Sequence, residues 1–335
     1  MTNMHKERIE KIDLIRGIAI ILVICGHGID LLTKKQYFDI SDISVVQNII
    51  YSFHIPLFFL TSGYVEYRKT TKEFRITDAI IKNIISLYIP FLILNFLYYL
   101  EKVVAYSFWG ESVQLDLSIS TVVKLFYMPQ GAAWFFLALL YNKLLFIILN
   151  KYIKEKAMLT FFLLLFWLSF FNYFPSLLHL EQGFFLCVGY LIHRFEIYIC
   201  GGFTIISCVN SIIVGFILMS IIGLNDIIRV LVAIPVFIVL ILSLERTAKI
   251  KVVNFCGSKS IIVCMVHQLS QYACFIICSK YITSPTLLLG IMILLQILFP
   301  YIIYRLFSDV KILNWIEYIF YPYKFVERRL KRENV

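Results

Sequence analysis

The sequence predicts an all-α integral membrane protein of about ten transmembrane helices, with the N-terminus and C-terminus both cytoplasmic. Three observations predict it. Of 335 residues, 60% are hydrophobic and only 16% are charged, where soluble domains carry roughly 25% charged residues. Apolar runs close to the 20 or so residues that cross a bilayer recur along the whole chain. The lysines and arginines between those runs alternate in density, as they do when they mark the cytoplasmic side.

The runs are taken in order. The start, MTNMHKERIEK, is polar and basic, and no small-residue cleavage site follows the first run, 12–32. That run is therefore expected to stay as a helix rather than leave as a signal peptide. The next runs are 43–66 and 79–100, followed by the longest loop, 101–130. Then come 131–150, 157–175, a short one at 180–195, 197–223, 227–245, 254–279 and 284–307. With the N-terminus inside, 25 of the 31 basic residues fall on the cytoplasmic side. Only Lys34, Lys35, Lys102, Lys124, Arg229 and Lys280 fall outside. An odd number of helices would put the basic tail on the wrong side.

Residues 1–307 thus form one transmembrane domain and 308–335 a basic, aromatic tail. The tail mixes Trp315, Tyr318, Tyr321 and Tyr323 with a terminal basic cluster, which suits an interfacial segment resting on anionic lipid. The net charge of +10 is accounted for by topology, and no nucleic-acid partner is expected. Eight cysteines lie mostly in apolar runs with no CxxC spacing. They are expected to be small buried hydrophobes, with no metal site and no disulfide framework. No repeat of 20–50 residues and no inverted pair of broken helices is visible.

Ionisable groups inside the apolar runs are costly and mark candidate function. In RGIAIILVICGHG, Arg16 and His27 are eleven residues apart, three turns plus about 20° at 100° per residue, so both lie on one face. Their axial separation is about 16 Å. Asp13 lies three residues before Arg16, where it can pair with it. In the second run, SFHIPLFFLTSGY, His54 lies roughly 18 Å deep and His27 roughly 22 Å deep in the first. Pro56 removes a backbone donor at that level. In the ninth run His267 lies roughly 10 to 20 Å deep, depending on where the helix starts. Three of the six histidines therefore converge in the membrane, where they are candidate proton-transfer groups.

Softer signals sit elsewhere. Arg68, Lys69, Lys72 and Arg75, with Lys82 beyond them, can hold the phosphates of a nucleotide-like donor, or simply obey the positive-inside rule. Trp134 either borders a site or anchors its helix at the outer interface. Glu181 is a candidate acid or base, and otherwise a solvated loop carboxylate.

These residues resemble a known family. RIEKIDLIRGIAIILVICGH resembles the opening of the acyltransferase family 3 membrane proteins, where an arginine and a histidine with ten residues between them mark the first helix. FHIPLFFLTSGY is similar to that family's second-helix motif, closest to the branch that includes fucose 4-O-acetylases. GAAWFFLALL, FFLCVGYL and FCGSKSIIVCMVH are similar to later segments, so the resemblance runs in order from residue 8 to about 270. Two features differ: Ala133 stands where many members have a charged or polar residue, and WFFLAL lacks a glutamate that many carry.

The resemblance implies a reaction. Such proteins transfer an acyl group, usually acetyl from acetyl-CoA, to a hydroxyl of a glycan or similar acceptor, in the bacterial cytoplasmic membrane. His27 matches the family's catalytic histidine and Arg16 its paired arginine, with His54 and His267 as further candidates. Phe58, Phe59, Ser62, Gly63 and Tyr64 match the second-helix motif. Asp13, Arg68, Arg75 and Lys82 are the candidate donor-binding residues, and Trp134 and Glu181 candidate pocket residues. The expected partners are a glycan or lipid-linked sugar acceptor and membrane lipids. No periplasmic esterase-like domain follows the last helix, so the module is expected to present the acyl group directly. A transporter or flippase for a lipid-linked sugar, or a sensor, would use the same internal polar groups without turnover.

Overall fold

The fold is that of a computed structural model, which describes residues 3–70, 75–109, 116, 118–170, 179–195, 202–243, 250–309 and 317–333. Among the described residues every regular element is helical. They are α1 (Asn3–Lys34), α2 (Ile40–Thr70), α3 (Ile76–Asn83), α4 (Ile89–Trp109), α5 (Ile119–Lys124), α6 (Trp134–Tyr152), α7 (Glu155–Phe170) and α8 (Gln182–Arg194). Then follow α9 (Gly202–Ile222), α10 (Asp226–Ser243), α11 (Lys251–Ser258), α12 (Ser260–Cys278), α13 (Pro285–Asp309), α14 (Glu317–Phe320) and α15 (Pro322–Glu333).

Among the described residues eight segments are long and apolar enough to cross a membrane. They correspond to eight of the ten expected runs. The other two are α7, with 16 residues, and α8, with 13. At 1.5 Å per residue α8 reaches only about 20 Å, short of a 30 Å hydrocarbon layer. The third run is longer than expected, Ile76–Ser107, and a π-helical stretch, Ile84–Tyr88, lies between α3 and α4. The ninth is broken at Lys259 into α11 and α12, so His267 belongs to a helix that starts at Ser260.

Exposed isoleucines, leucines and valines cover α9 and the outer faces of α4 and α13. In water such a surface would aggregate, whereas hydrocarbon solvates it. The protein is an all-α integral membrane protein. For orientation within the bundle, the end where α1 begins is termed the N-face and the opposite end the far face.

Two close helix contacts set the frame. A Cβ on Gly17 would overlap the Val253 carbonyl, and a Cβ on Gly257 would overlap the Asp13 carbonyl, so α1 and α11 meet backbone to backbone. A Cβ on Gly63 would strike the Leu186 carbonyl and one on Gly189 the Leu60 carbonyl, so α2 and α8 meet in the same way. Small residues permit this approach and dispersion then holds it, since lipid offers no hydrophobic drive between helices. The main core lies among α1, α2, α4, α6, α8, α10 and α12, with Ile15, Ile24, Phe59, Phe91, Phe136 and Phe185 at its centre.

Under the N-face lie α14 and α15. Lys259 stands 4.5 Å over the Tyr304 ring and 5.5 Å over that of Tyr321, while Lys82 stands 4.8 Å over Tyr323. Glu317 bonds Lys324 at 2.7 Å and faces Lys259 at 3.8 Å. Burial pushes the Tyr321 phenol up, and the charge of Glu317 adds to the shift.

Candidate functional site

A cavity opens between α1, α2, α6 and α12, with about 900 Å³ of empty space, part of it continuous with the outside. One stripe of α1 lines it: Arg16, Ile20, Val23 and His27. These positions follow one another at four, three and four residues, the spacing of a single helical face. The opposite walls carry Ile55, Phe58 and Ser62 of α2, Trp134, Phe135, Phe136, Leu139 and Lys143 of α6, and Ser260, Ile261 and Cys264 of α12.

The charged end of the cavity is held by partners. Arg16 Nε donates to Thr61 Oγ1 at 3.5 Å, and its Nη1 lies 3.9 Å from Asp13 Oδ1. Lys143 Nζ lies 3.5 Å from Glu66 Oε2, a carboxylate only 1% exposed. A buried carboxylate is tolerated where a cation sits against it. The two cations therefore stand near the same end of the cavity, on facing helices.

The other end is built around His27. Its ring stacks on that of His267, with centroids 5.8 Å apart and planes 26° apart. Gln271 Nε2 donates to the His27 carbonyl at 2.5 Å, which ties α12 to α1. His267 is fully buried, and its Nδ1 donates to the Val263 carbonyl at 2.9 Å. That bond fixes the tautomer, since a carbonyl can only accept. His267 Nε2 is therefore the lone-pair nitrogen, and it has no hydrogen-bond partner among the described residues.

His54 is placed differently. It is 3% exposed, donates from Nδ1 to the Ile50 carbonyl at 2.7 Å, and packs its ring 5.0 Å from that of Tyr51. It does not line the cavity. In α2, Phe58 and Ser62 face the cavity, whereas Phe59 is edge-on to Phe135 inside the core. Gly63 packs against α8, and Tyr64 stacks on His193 at 4.1 Å. The motif thus splits: two positions line the cavity and three seat α2 on its neighbours.

The basic residues beyond α2 do not come together with this site. Arg75 and Lys82 are exposed around α3, and neither lines the cavity. The side chain of Arg68, and residues 71–74, lie outside the described residues. Trp134 does line the cavity, and its ring lies 4.4 Å from that of His179. Glu181 accepts from His179 Nδ1 at 3.0 Å, so it touches the cavity wall only through His179 and Trp134.

Four residues that the sequence reading passed over belong here. Lys143 and Ser260 line the cavity, as does Cys264. Asp30 lies 3.9 Å from His27 Nδ1. Two of them carried a visible signal: Lys143 is a charge inside an apolar run, and Asp30 is one turn from His27.

An imidazole facing an apolar-walled cavity with cations at its other end is suited to proton transfer on a substrate anchored by negative groups. Comparison with curated proteins and with solved structures finds no significant match. A family model described as an acyltransferase domain matches residues 9–305. That span covers the whole of the cavity and most of the chain, and this membrane protein belongs to acyltransferase family 3.

Proposed function

We propose that this membrane acyltransferase moves an acetyl group from acetyl-CoA to a hydroxyl of a cell-surface glycan or its lipid-linked precursor, with His27 as general base. One observation carries the reading: a single cavity is lined by Arg16 and His27 from the same stripe of α1, with Ile20 and Val23 between them.

The chemistry follows from that layout. Arg16 and Lys143 attract the anionic part of the donor, and the apolar stripe accepts its thin, uncharged arm. The thioester then reaches His27. Its imidazole takes the proton of the acceptor hydroxyl as the oxygen attacks the thioester carbonyl. The tetrahedral intermediate collapses with loss of the thiolate, which takes the proton back and leaves as free thiol. An O-acyl ester and CoA are the products, and no metal or redox partner enters this balance.

The basic residues of the loops support an orientation with both termini in the cytoplasm. The Arg16 end of the cavity then faces the cytosol, the source of acetyl-CoA, in a bacterial cytoplasmic membrane. In this reading residues 1–307 are the catalytic domain and 308–335 an interfacial tail against anionic lipid. Asp13 serves the donor end by holding Arg16, and Arg68, Arg75 and Lys82 offer a peripheral basic approach. His54 and His267 flank the base, and Phe58, Ser62 and Trp134 shape the pocket.

Mass spectrometry of surface glycans from cells with and without the protein tests the reaction. A difference of one acetyl group per acceptor unit is expected, and it disappears with His27→Ala while the protein remains membrane-inserted. Unchanged glycans in both strains would sink the reading, and lipid-linked sugar moving without acetylation would point to a transporter.

A further inference from the structure

The proposed base has a carboxylate behind it. Asp30 lies three residues beyond His27 on α1, one turn further along the same face. Its Oδ2 is 3.9 Å from His27 Nδ1. The carboxylate is held from the neighbouring helix: Gln47 Nε2 donates to Oδ1 and the Tyr51 hydroxyl donates to Oδ2. Gln47 and Tyr51 are four residues apart on α2, so one face of that helix supplies both donors. The Tyr51 ring is backed in turn by His54, whose own Nδ1 is fixed on the Ile50 carbonyl.

A carboxylate within an apolar span is expensive, and two donors only reduce that cost. A group kept for packing alone would be satisfied by Gln47 and Tyr51 and would need no third neighbour. Here the third neighbour is the one imidazole, among the described residues, that lines the cavity. The separation of 3.9 Å lies just beyond a hydrogen bond, and such contacts commonly tighten when substrate binds.

We propose that Asp30, held by Gln47 and Tyr51, is the positioning residue of His27; this rests on His27 being the base. Asp30 accepts the Nδ1 proton and so leaves the lone pair on Nε2, the nitrogen that takes the hydroxyl proton. It also holds the ring plane and stabilises the imidazolium formed as the alcohol attacks. The proton moves from the hydroxyl to Nε2 and on to the departing thiolate, and Asp30 itself gains none. The logic is that of a base oriented by a neighbouring carboxylate.

The test uses membranes containing the full-length protein, with radiolabelled acetyl-CoA as donor and the endogenous membrane acceptor. Asp30→Asn keeps the shape but turns a donor toward Nδ1. It is expected to lower Vmax about a hundredfold or more, with the apparent KM for acetyl-CoA unchanged and normal elution in detergent. Asp30→Glu is expected to recover to within about tenfold of wild type, because the charge and acceptor return. Tyr51→Phe, which removes one donor and no charge, is expected to lower Vmax about tenfold. Added to His27→Ala, the Asp30→Asn change is expected to cost nothing more, since a positioning residue acts only through the group it positions.

Wild-type Vmax in Asp30→Asn overturns the proposal while leaving the base reading intact. So does a loss that adds in full to that of His27→Ala, or one matched by a raised KM. If Asp30→Asn fails to fold, wild-type Vmax in Tyr51→Phe overturns it. Full transfer by His27→Ala overturns the base reading itself, and the positioning role falls with it.

Discussion

His27 and His267 stack face to face, 5.8 Å between centroids, and the two rings belong to helices far apart in the chain. The arrangement is asymmetric. His27 is partly open to the cavity, at 31% side-chain exposure, whereas His267 is fully buried. His267 is held by its Nδ1–H bond to Val263 and so presents an oriented ring to its neighbour. A π-face stabilises a cation above it, most strongly where water is absent.

His267→Ala is accordingly expected to lower acetyl transfer about a hundredfold, the scale of a lost electrostatic aid to proton transfer. His267→Phe keeps a ring face of similar size and is expected to fall between the two. Vmax from labelled acetyl transfer, normalised to protein that elutes as a single species in detergent, reads both. Equal, wild-type rates in the two variants would show that the stack is packing only.

Part of this site was legible in the chain. Arg16 and His27 were placed on one face by helical arithmetic, and Ile20 and Val23 between them line the same cavity. Helical rise also predicts similar depths for His27 and His54. Arg16 meets Thr61, and Asp30 meets Gln47 and Tyr51, so His27 lies opposite residues about one turn from His54. What periodicity cannot supply is which distant element closes a site. Lys143 reaches the cavity on α6 from across it, and Ser260 and Cys264 on α12, which continues from the packing of α11 on α1. That packing depends on backbone contacts at Gly17 and Gly257 which no local pattern announces. The break of the ninth run at Lys259 was hidden likewise, because its apolar residues continue across it. His54 was drawn into the candidate site by its depth, but α2 turns it toward Tyr51 and Ile50.

Arg16 is the cavity cation on the same stripe as His27, and it is held by Thr61 and Asp13. Its removal is expected to act on donor binding more than on chemistry. Arg16→Ala should raise the apparent KM for acetyl-CoA by about 10- to 100-fold, the worth of a charge-assisted contact. Arg16→Lys restores charge without the planar fork and should recover only partly. A collapse of Vmax at unchanged KM would move Arg16 from donor binding to the reacting centre.

The meeting of Gly257 with the Asp13 carbonyl positions the Asp13–Arg16 end of α1. Gly257→Val must push α11 away from α1, at a cost of about 1–3 kcal/mol or more. Lower thermal stability in detergent is expected, together with weakened acetyl-CoA dependence, because Asp13 and Arg16 move with their backbone. Gly290 meets nothing within 4 Å, so Gly290→Ala serves as the matched control and should leave both properties near wild type. Equal stability of Gly257→Val and the control would refute the close-contact argument.

In the proposed reaction the stretch between Arg16 and His27 separates the donor's grip from the reacting centre, and Ile20 lies within it. Ile20 is 2% exposed overall, yet its side chain borders the cavity. Ile20→Trp adds bulk to that wall while leaving every polar group in place. If the donor arm threads past this point, the thioester can no longer reach His27. A displacement on the order of 1 Å at a reacting centre costs roughly a hundredfold in rate. Transfer should therefore fall by about that factor. Ile20→Ala, which widens the same point, should retain activity at some expense of stability, since a large-to-small core change costs about 2–5 kcal/mol. The pair separates obstruction from general damage: the larger side chain should lower transfer about a hundredfold with stability lost only to overpacking, and the smaller one should preserve transfer in a less stable protein. Full transfer by Ile20→Trp would place the donor's path elsewhere than along this stripe of α1.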